Sequence, residues 1–225
     1  MKIAICSPAY GDTKLQFTYC LANLLIHTGR EGVRTKNGGT VRPDLGMLMA
    51  SSSNVAWNRQ SIAEIAVNGG ADYLFWVDTD QTFPPNTLQQ LFLHMGEAQV
   101  VGCNIARRTD PTGPTALRFV GGRPQFIWTD EGKIRDRLVE QVASMGLGVC
   151  LMSTEVLKGV DKPWFAPDAN GEDGYFFLKL RAVGIPIYVD HLASAGIGHV
   201  GERVYTNADA WNDRSRWTPP PIHPR

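Results

Sequence analysis

Residues 72–77, Asp-Tyr-Leu-Phe-Trp-Val, run directly into Asp78-Thr79-Asp80 and are apolar on both alternating faces. A strand of that kind must be covered above and below, which is the environment of a central strand in a parallel sheet flanked by helices. The neighbouring segments fit that demand. Lys2–Ser7 is a short apolar run ended by Pro8, followed by the loop Ala9-Tyr10-Gly11-Asp12 and a helical pattern over Leu15–His27. Leu45–Ala50 reads as a second strand, and Ser51-Ser52-Ser53-Asn54 offers N-caps for a helix that ends at Asn68, before Gly69-Gly70. Pro84-Pro85-Asn86-Thr87 starts another helix to about Met95, and Gln99–Cys103 is a further strand. This β-α-β-α-β order implies right-handed crossovers and a mostly parallel, Rossmann-like central sheet flanked by helices.

Between Asn104 and Glu140 periodicity is lost apart from strand-like pieces at Leu117–Val120 and Gln125–Thr129. Order returns with Gly146-Leu147-Gly148, a strand over Val149–Met152 and a short helix capped by Ser153 or Thr154. Glu172-Asp173 opens a helix to about Val183 that Gly184 closes, and Ile185–Val189 is a last strand. At ~150 residues per domain, 225 residues make one domain, placed at 1–205, with a Pro/Trp-rich tail at 206–225. The tail is read as an appendage packed on its own domain, in preference to a mobile lid or a partner-binding segment.

Basic and acidic residues balance at 22 each, so no global field draws the chain to nucleic acid or an anionic membrane. The basic, glycine-rich connection Arg30–Asp44, with Arg34, Lys36 and Arg42, is read as a solvated loop. No run approaches the ~20 apolar residues of a membrane span. The apolar start, Met1 to Cys6, is too short for a signal peptide, so a cytoplasmic location is expected. Cys6, Cys20, Cys103 and Cys150 are scattered without paired spacing and are expected to be buried free thiols.

Three features bear on chemistry. Asp78 and Asp80 stand i, i+2 at the carboxyl end of a central strand, where open α/β sheets bind ligands. Such a pair can share a hard divalent cation or simply cap and solvate a loop. Glu172 and Asp173 stand at a helix start, where a carboxylate serves the helix dipole or acts as a general base. His199 lies between Gly198 and Gly201, glycines that permit close backbone approach to a ligand. An imidazole with two carboxylates suits manganese or magnesium better than zinc.

The order Pro8-Ala9-Tyr10, Asn58-Arg59-Gln60, Asp78-Thr79-Asp80 with Phe83-Pro84-Pro85, Gly146-Leu147-Gly148, Glu172-Asp173 and Gly198-His199 resembles GT-A fold glycosyltransferases. It is most similar to the compact bacterial and phage members related to glycosyltransferase family 2, over residues 1–204. The resemblance implies a non-processive enzyme that transfers a sugar from a UDP- or GDP-sugar to an acceptor hydroxyl on a glycan, small molecule, protein or modified nucleobase. It implies Mn2+ or Mg2+ in a site of Asp78, Asp80 and His199, with Asp80 the direct ligand, Asp78 also touching ribose or metal-bound water, and Thr79 within the triplet. Pro8, Ala9 and Tyr10 would pack on base and ribose, with Arg59 near the nucleotide. Asp173, or less so Glu172, would face the acceptor, with an inverting or a retaining outcome.

Gln60 departs from the asparagine that relatives often carry, and the Gln-x-x-Arg-Trp motif of processive synthases is absent. The rivals are a haloacid-dehalogenase-like phosphatase with Asp78 as nucleophile and Asp80 as acid/base, a nucleotidyltransferase, and a non-catalytic sugar-binding relative. The first normally carries its motif on the first strand. The second wants a glycine-rich basic loop that Ser7 to Asp12 lacks.

Overall fold

The computed structural model describes residues 1–35 and 38–223. Lys36, counted above in the basic connection, lies outside the described residues. In chain order the elements begin β1 (Lys2–Ala9), α1 (Leu15–Glu31), β2 (Val33–Arg34), β3 (Thr40–Val41), β4 (Asp44–Ser51), α2 (Val55–Asn68) and β5 (Tyr73–Val77). Then come β6 (Gln81–Thr82), α3 (Thr87–Phe92), β7 (Val100–Gly102), β8 (Leu117–Val120), β9 (Arg123–Phe126), α4 (Glu131–Arg135) and β10 (Val139–Val142). The last third holds β11 (Val149–Ser153), α5 (Glu155–Lys158), α6 (Gly171–Ala182), β12 (Ile187–Asp190), α7 (His191–Ala195), β13 (Gly198–Val200), β14 (Val204–Thr206) and α8 (Asn207–Asp213).

Seven strands form the central sheet in the order β10-β12-β7-β11-β5-β1-β4. β1 pairs in parallel with β4 and β5, and β12 in parallel with β7. β11 is antiparallel to both β5 and β7, and β10 is antiparallel to β12. The βαβ reading therefore gives the mostly parallel sheet but not the antiparallel strand inserted between β5 and β7.

β5 is covered as its composition demands. Leu74 and Trp76 pack on one side with Cys6, Ile62 of α2 and Phe176 of α6, while Phe75 and Val77 pack on the other with Ile5, Phe17 of α1 and Leu88 of α3. Each large apolar side chain withdrawn from water contributes about 1.5–3 kcal/mol. α2 starts where the capping residues predict, with the Asn54 side chain accepting from the Trp57 amide at 3.3 Å. The cysteines are free, and all but Cys20 are buried.

The segment without periodicity contains the β8–β9 hairpin, α4 and β10. The basic connection is partly a small β2–β3 ladder. β14 crosses the boundary expected at residue 205, and α8 follows at once. Beyond it the tail packs on the domain. Trp217 lies edge-on to Phe126 and Trp128 with ring centroids 4.8 and 5.4 Å away, and His223 N–H donates to Asn170 Oδ1 at 3.0 Å. Gly113 makes room for this, because a Cβ there would collide with the Trp217 indole. The Gly113→Ala variant is expected to release the tail at little cost to the core: limited proteolysis should cut beyond Asp213 several-fold faster, with the main melting transition nearly unmoved. Unchanged cleavage would show that the indole does not hold the tail down.

Candidate functional site

Arg59, on α2, is 2% exposed and faces three carboxylates. Its Nη2 lies 3.0 and 3.1 Å from the two Asp78 oxygens, with hydrogen-bond geometry to Oδ2. Its Nε lies 3.1 Å from Glu172 Oε1 and 3.5 Å from Asp173 Oδ1. The guanidinium also lies over the Trp76 ring, 5.5 Å from its centroid. Burial opposes the Arg59 charge, but Asp78, Asp173 and Glu172 outweigh it and hold the proton more firmly. One cation does not neutralise three acids. Burial pushes the Asp173 carboxyl up to about 7, with Glu172 and Asp78 adding to it against Arg59 and the Leu147 amide, which donates to Oδ2 at 3.0 Å. Asp78 is also raised, by burial first and then by the charges of Asp80 and Glu172, against Arg59.

The strand-end triplet opens on a cavity of about 430 Å³ lined by Pro8, Ala9, Tyr10, Lys14, Asp78, Thr79, Asp80 and Arg108, among others. Asn58 fixes the first loop by donating from Nδ2 to the Ala9 carbonyl at 3.0 Å, and Tyr10 is 77% exposed at the rim. The Lys14 amide approaches the Thr79 carbonyl at 3.3 Å, which draws the start of α1 to the triplet. Asp80 Oδ2 is 2.9 Å from Arg108 Nη1 and 3.4 Å from His199 Nε2. Burial works against the Asp80 charge, but His199 and Arg108 prevail and hold it below the usual carboxylate range.

His199 reaches Asp80 because β13 pairs antiparallel with β6, setting His199 opposite Gln81, while Val200 N–H donates to the Asp80 carbonyl at 2.7 Å. The flanking glycines serve approach within the chain. A Cβ on Gly198 would collide with Thr82 and Val204, and one on Gly201 would press on Arg108.

A second cavity of about 480 Å³ lies on the other side of the Arg59 cluster and is lined by Glu172, Asp173, Gly146, Leu117, Phe119, Arg107 and the tail residues Ile222 and His223, among others. Asp78 thus borders one cavity and Asp173 the other, with Arg59 between them.

No family model matches the sequence, and no curated protein is significantly similar to it. Solved structures are. The crystal structure of A197 from STIV, a viral protein, aligns with a TM-score of 0.65 at 19% identity, covering 93% of this chain and 92% of that one. The structure of GalNAc-T7 with UDP, GalNAc and Mn2+ aligns with a TM-score of 0.55 at 11% identity. It covers 96% of this chain, which spans 48% of the GalNAc-T7 chain. The chain has a GT-A glycosyltransferase-like fold.

On this GT-A scaffold the sequence-predicted residues fall into two groups. Pro8, Ala9, Tyr10, Asp78, Thr79 and Asp80 share the first cavity, with His199 against Asp80. Glu172 and Asp173 border the second. Arg59 links the groups from behind and is paired with both Asp78 oxygens, while Asp80 pairs with His199. Among the described residues no three of His, Cys, Asp and Glu are grouped as a metal site. The fit to a divalent cation therefore rests on Asp80 and His199. His199 Nδ1 lies 2.8 Å from the Ala106 carbonyl, and a ring hydrogen held there would free Nε2 for a cation in place of the proton that faces Asp80. One carboxylate and one imidazole suit an ion that takes its remaining ligands from phosphate and water.

A nucleophilic role for Asp78, which the phosphatase reading needs, is opposed by the guanidinium across both its oxygens. Gln60 is structural, its Oε1 accepting from the Trp164 and Phe165 amides at 2.8 and 3.1 Å. The sequence reading quoted Asn58 in its motif without giving it a role, and missed Lys14, Arg107 and Arg108 as contributors. The arginine pair stands shortly after the carboxyl end of β7, the position at which open α/β sheets present ligand-binding groups.

Replacing Arg59 with methionine strands the carboxylates and should cost about 3–5 kcal/mol in urea unfolding at pH 8, less at pH 5, where protons replace the lost cation. Wild-type unfolding midpoints at both pH values would deny the cluster its structural role. For Asp173, the folded chain keeps a proton up to about pH 7 that the unfolded chain releases near its ordinary ~3.9. Stability from this group is therefore lost as pH rises between those values and is flat above. The stability of Asp173→Asn relative to the wild type should climb from pH 4.5 to 7 and then level off. A pH-independent difference would assign Asp173 an ordinary carboxyl.

Proposed function

We propose that this chain is a metal-dependent, non-processive glycosyltransferase that moves a sugar from a UDP- or GDP-sugar to an acceptor hydroxyl. The observation that carries the reading is that two cavities meet at one buried ion cluster, the triplet and Asp80–His199 on one side and Asp173 on the other. The GT-A neighbour whose structure holds UDP and Mn2+ supports a nucleotide donor and a cation.

Pro8, Ala9 and Tyr10 offer apolar surface to a base and ribose. Lys14 and Arg108 supply positive charge for a diphosphate, and Arg108, with its side chain 44% exposed, can exchange Asp80 for phosphate without a large desolvation cost. Asp80 and His199 would hold Mn2+ or Mg2+, with Asp78 behind them, and the ion would stabilise negative charge on the departing diphosphate. Asp173, with its carboxyl near 7, is matched to accepting a hydroxyl proton at neutral pH. The hydroxyl oxygen bonds to the anomeric carbon, the bond to the diphosphate breaks with its electron pair leaving on phosphate oxygen, and the proton goes to Asp173. In this inverting form the acceptor enters from the second cavity, with Glu172 holding Arg59 in place. Among the described residues no helix is long and apolar enough to cross a membrane.

Calorimetry of UDP and GDP with Mn2+ is expected to show binding that Asp80→Ala weakens at least tenfold. Asp173→Asn should keep that binding within about twofold, while transfer or donor hydrolysis falls by about 10²–10⁴. Equal nucleotide binding by wild type and Asp80→Ala would overturn the metal role. Equal loss of binding and turnover in Asp173→Asn would move that residue to the donor side.

A further inference from the structure

The second cavity carries positive charge that the transfer chemistry does not use. Its floor is one face of the β8–β9 hairpin. Leu117 and Phe119 alternate onto the same side of β8, and Phe126 stands opposite Leu117 in the register. An arginine lies over each end of that face, with the Arg181 guanidinium 4.7 Å from the Phe119 centroid and Arg107 5.7 Å from that of Phe126. Both arginines line the cavity, and among the described residues neither is ion-paired to a carboxylate. Arg107 donates from Nε to the Pro114 carbonyl at 3.0 Å, and burial pushes its pKa down with no acid to offset it.

Stacking uses the flat face of a guanidinium and leaves its in-plane N–H fork free for a phosphate or carboxylate. Gly174, Leu178 and Arg181 share one face of α6 with the acid at Asp173. Eight residues of helix separate Asp173 from Arg181, roughly 12 Å along the axis. The cavity is thus acidic at the end near Arg59 and apolar along its floor, with an arginine over each end of that floor.

We propose that the second cavity selects an elongated acceptor that carries an anionic group, a phosphate or carboxylate, held between Arg107 and Arg181 above the apolar floor of Leu117 and Phe119, with its hydroxyl facing Asp173. This rests on the reading of that cavity as the acceptor side, and it adds the chemical class of the acceptor. Ile222 and His223 of the tail close the cavity over the ligand's flank.

The test uses the full chain and small probes: phenyl phosphate, phenylacetate, inorganic phosphate and benzyl alcohol, titrated by ligand-observed NMR. One of the two aromatic anions should bind at least tenfold tighter than inorganic phosphate or benzyl alcohol, and whichever wins names the anion. Arg181→Gln and Arg107→Gln should each weaken it about tenfold, the usual scale for a lost charge-assisted hydrogen bond. Arg181→Lys should restore part of the loss. Arg181 is exposed on α6, so its variant remains informative even where Arg107→Gln, which gives up the bond to Pro114, disturbs the hairpin. Binding to the double glutamine variant as tight as to wild type, displacement of the probe by UDP with Mn2+, or equal affinity for benzyl alcohol would each overturn the proposal. Arginine-dependent probe binding in a chain that binds neither UDP nor GDP would support the anion site while striking the transferase reading.

Discussion

Most of what the fold does for its site depends on a guanidinium enclosed with too many carboxylates. Arg59 comes from α2, Asp78 from the end of β5, and Glu172 and Asp173 from the first turn of α6, so one side chain ties together elements that are distant in sequence. Burying a pair of charges rarely gains stability over well-packed apolar residues, because desolvation offsets the attraction. Fold stability alone does not call for this cluster. What burial, with the excess of acid added to it, supplies is a carboxyl that keeps its proton near neutrality on the wall of a cavity, a property ordinary surface acids lack. The same guanidinium fixes Asp78 at the other cavity, so changes on either side are felt by one shared cation.

The second organising device is the small sheet β14-β13-β6. β6 is two residues long and follows the acidic triplet at once, and its pairing with β13 sets His199 opposite Gln81 across more than a hundred residues of chain. Backbone hydrogen bonds, not side-chain attraction, therefore bring the imidazole to Asp80. The glycines around His199 make that pairing sterically possible, which is why Gly198 abuts Thr82 and Val204 and not open space.

How legible this was in the sequence followed from how local each signal is. β5 and α2 were readable because an apolar run, an asparagine cap and a double-glycine stop act within a few residues. The direction of β11 was not, since whether a strand runs parallel is decided by neighbours some seventy residues earlier and fifty before it, at β5 and β7. β6 and β13 are too short to show a period. At the site, Asp78, Asp80, Asp173 and His199 stood out by type and placement, whereas Arg59's role as a hub did not, because a buried arginine looks like a surface one until its three partners are in place. Arg107 and Arg108 were hidden for a related reason: consecutive residues of an irregular segment point to different cavities, one over Phe126 and the other at Asp80.

The formal charge of zero conceals this segregation. Lys14 and Arg108 stand on the side where a diphosphate would gather charge, and the unshared acids lie in the middle. Arg108 occupies the Asp80 carboxylate where the proposed reading would place a cation. Its partly exposed guanidinium neutralises Asp80 through one oxygen while His199, held by Ala106, keeps its orientation. Because that pair is half in water, breaking it costs little, and a phosphate arriving beside it offers Arg108 a partner of equal or greater charge. On the transferase reading proposed above, the Asp80 carboxylate would then be free to face a cation beside His199. Cation and diphosphate would then favour each other's binding, with Arg108 as the group that couples them.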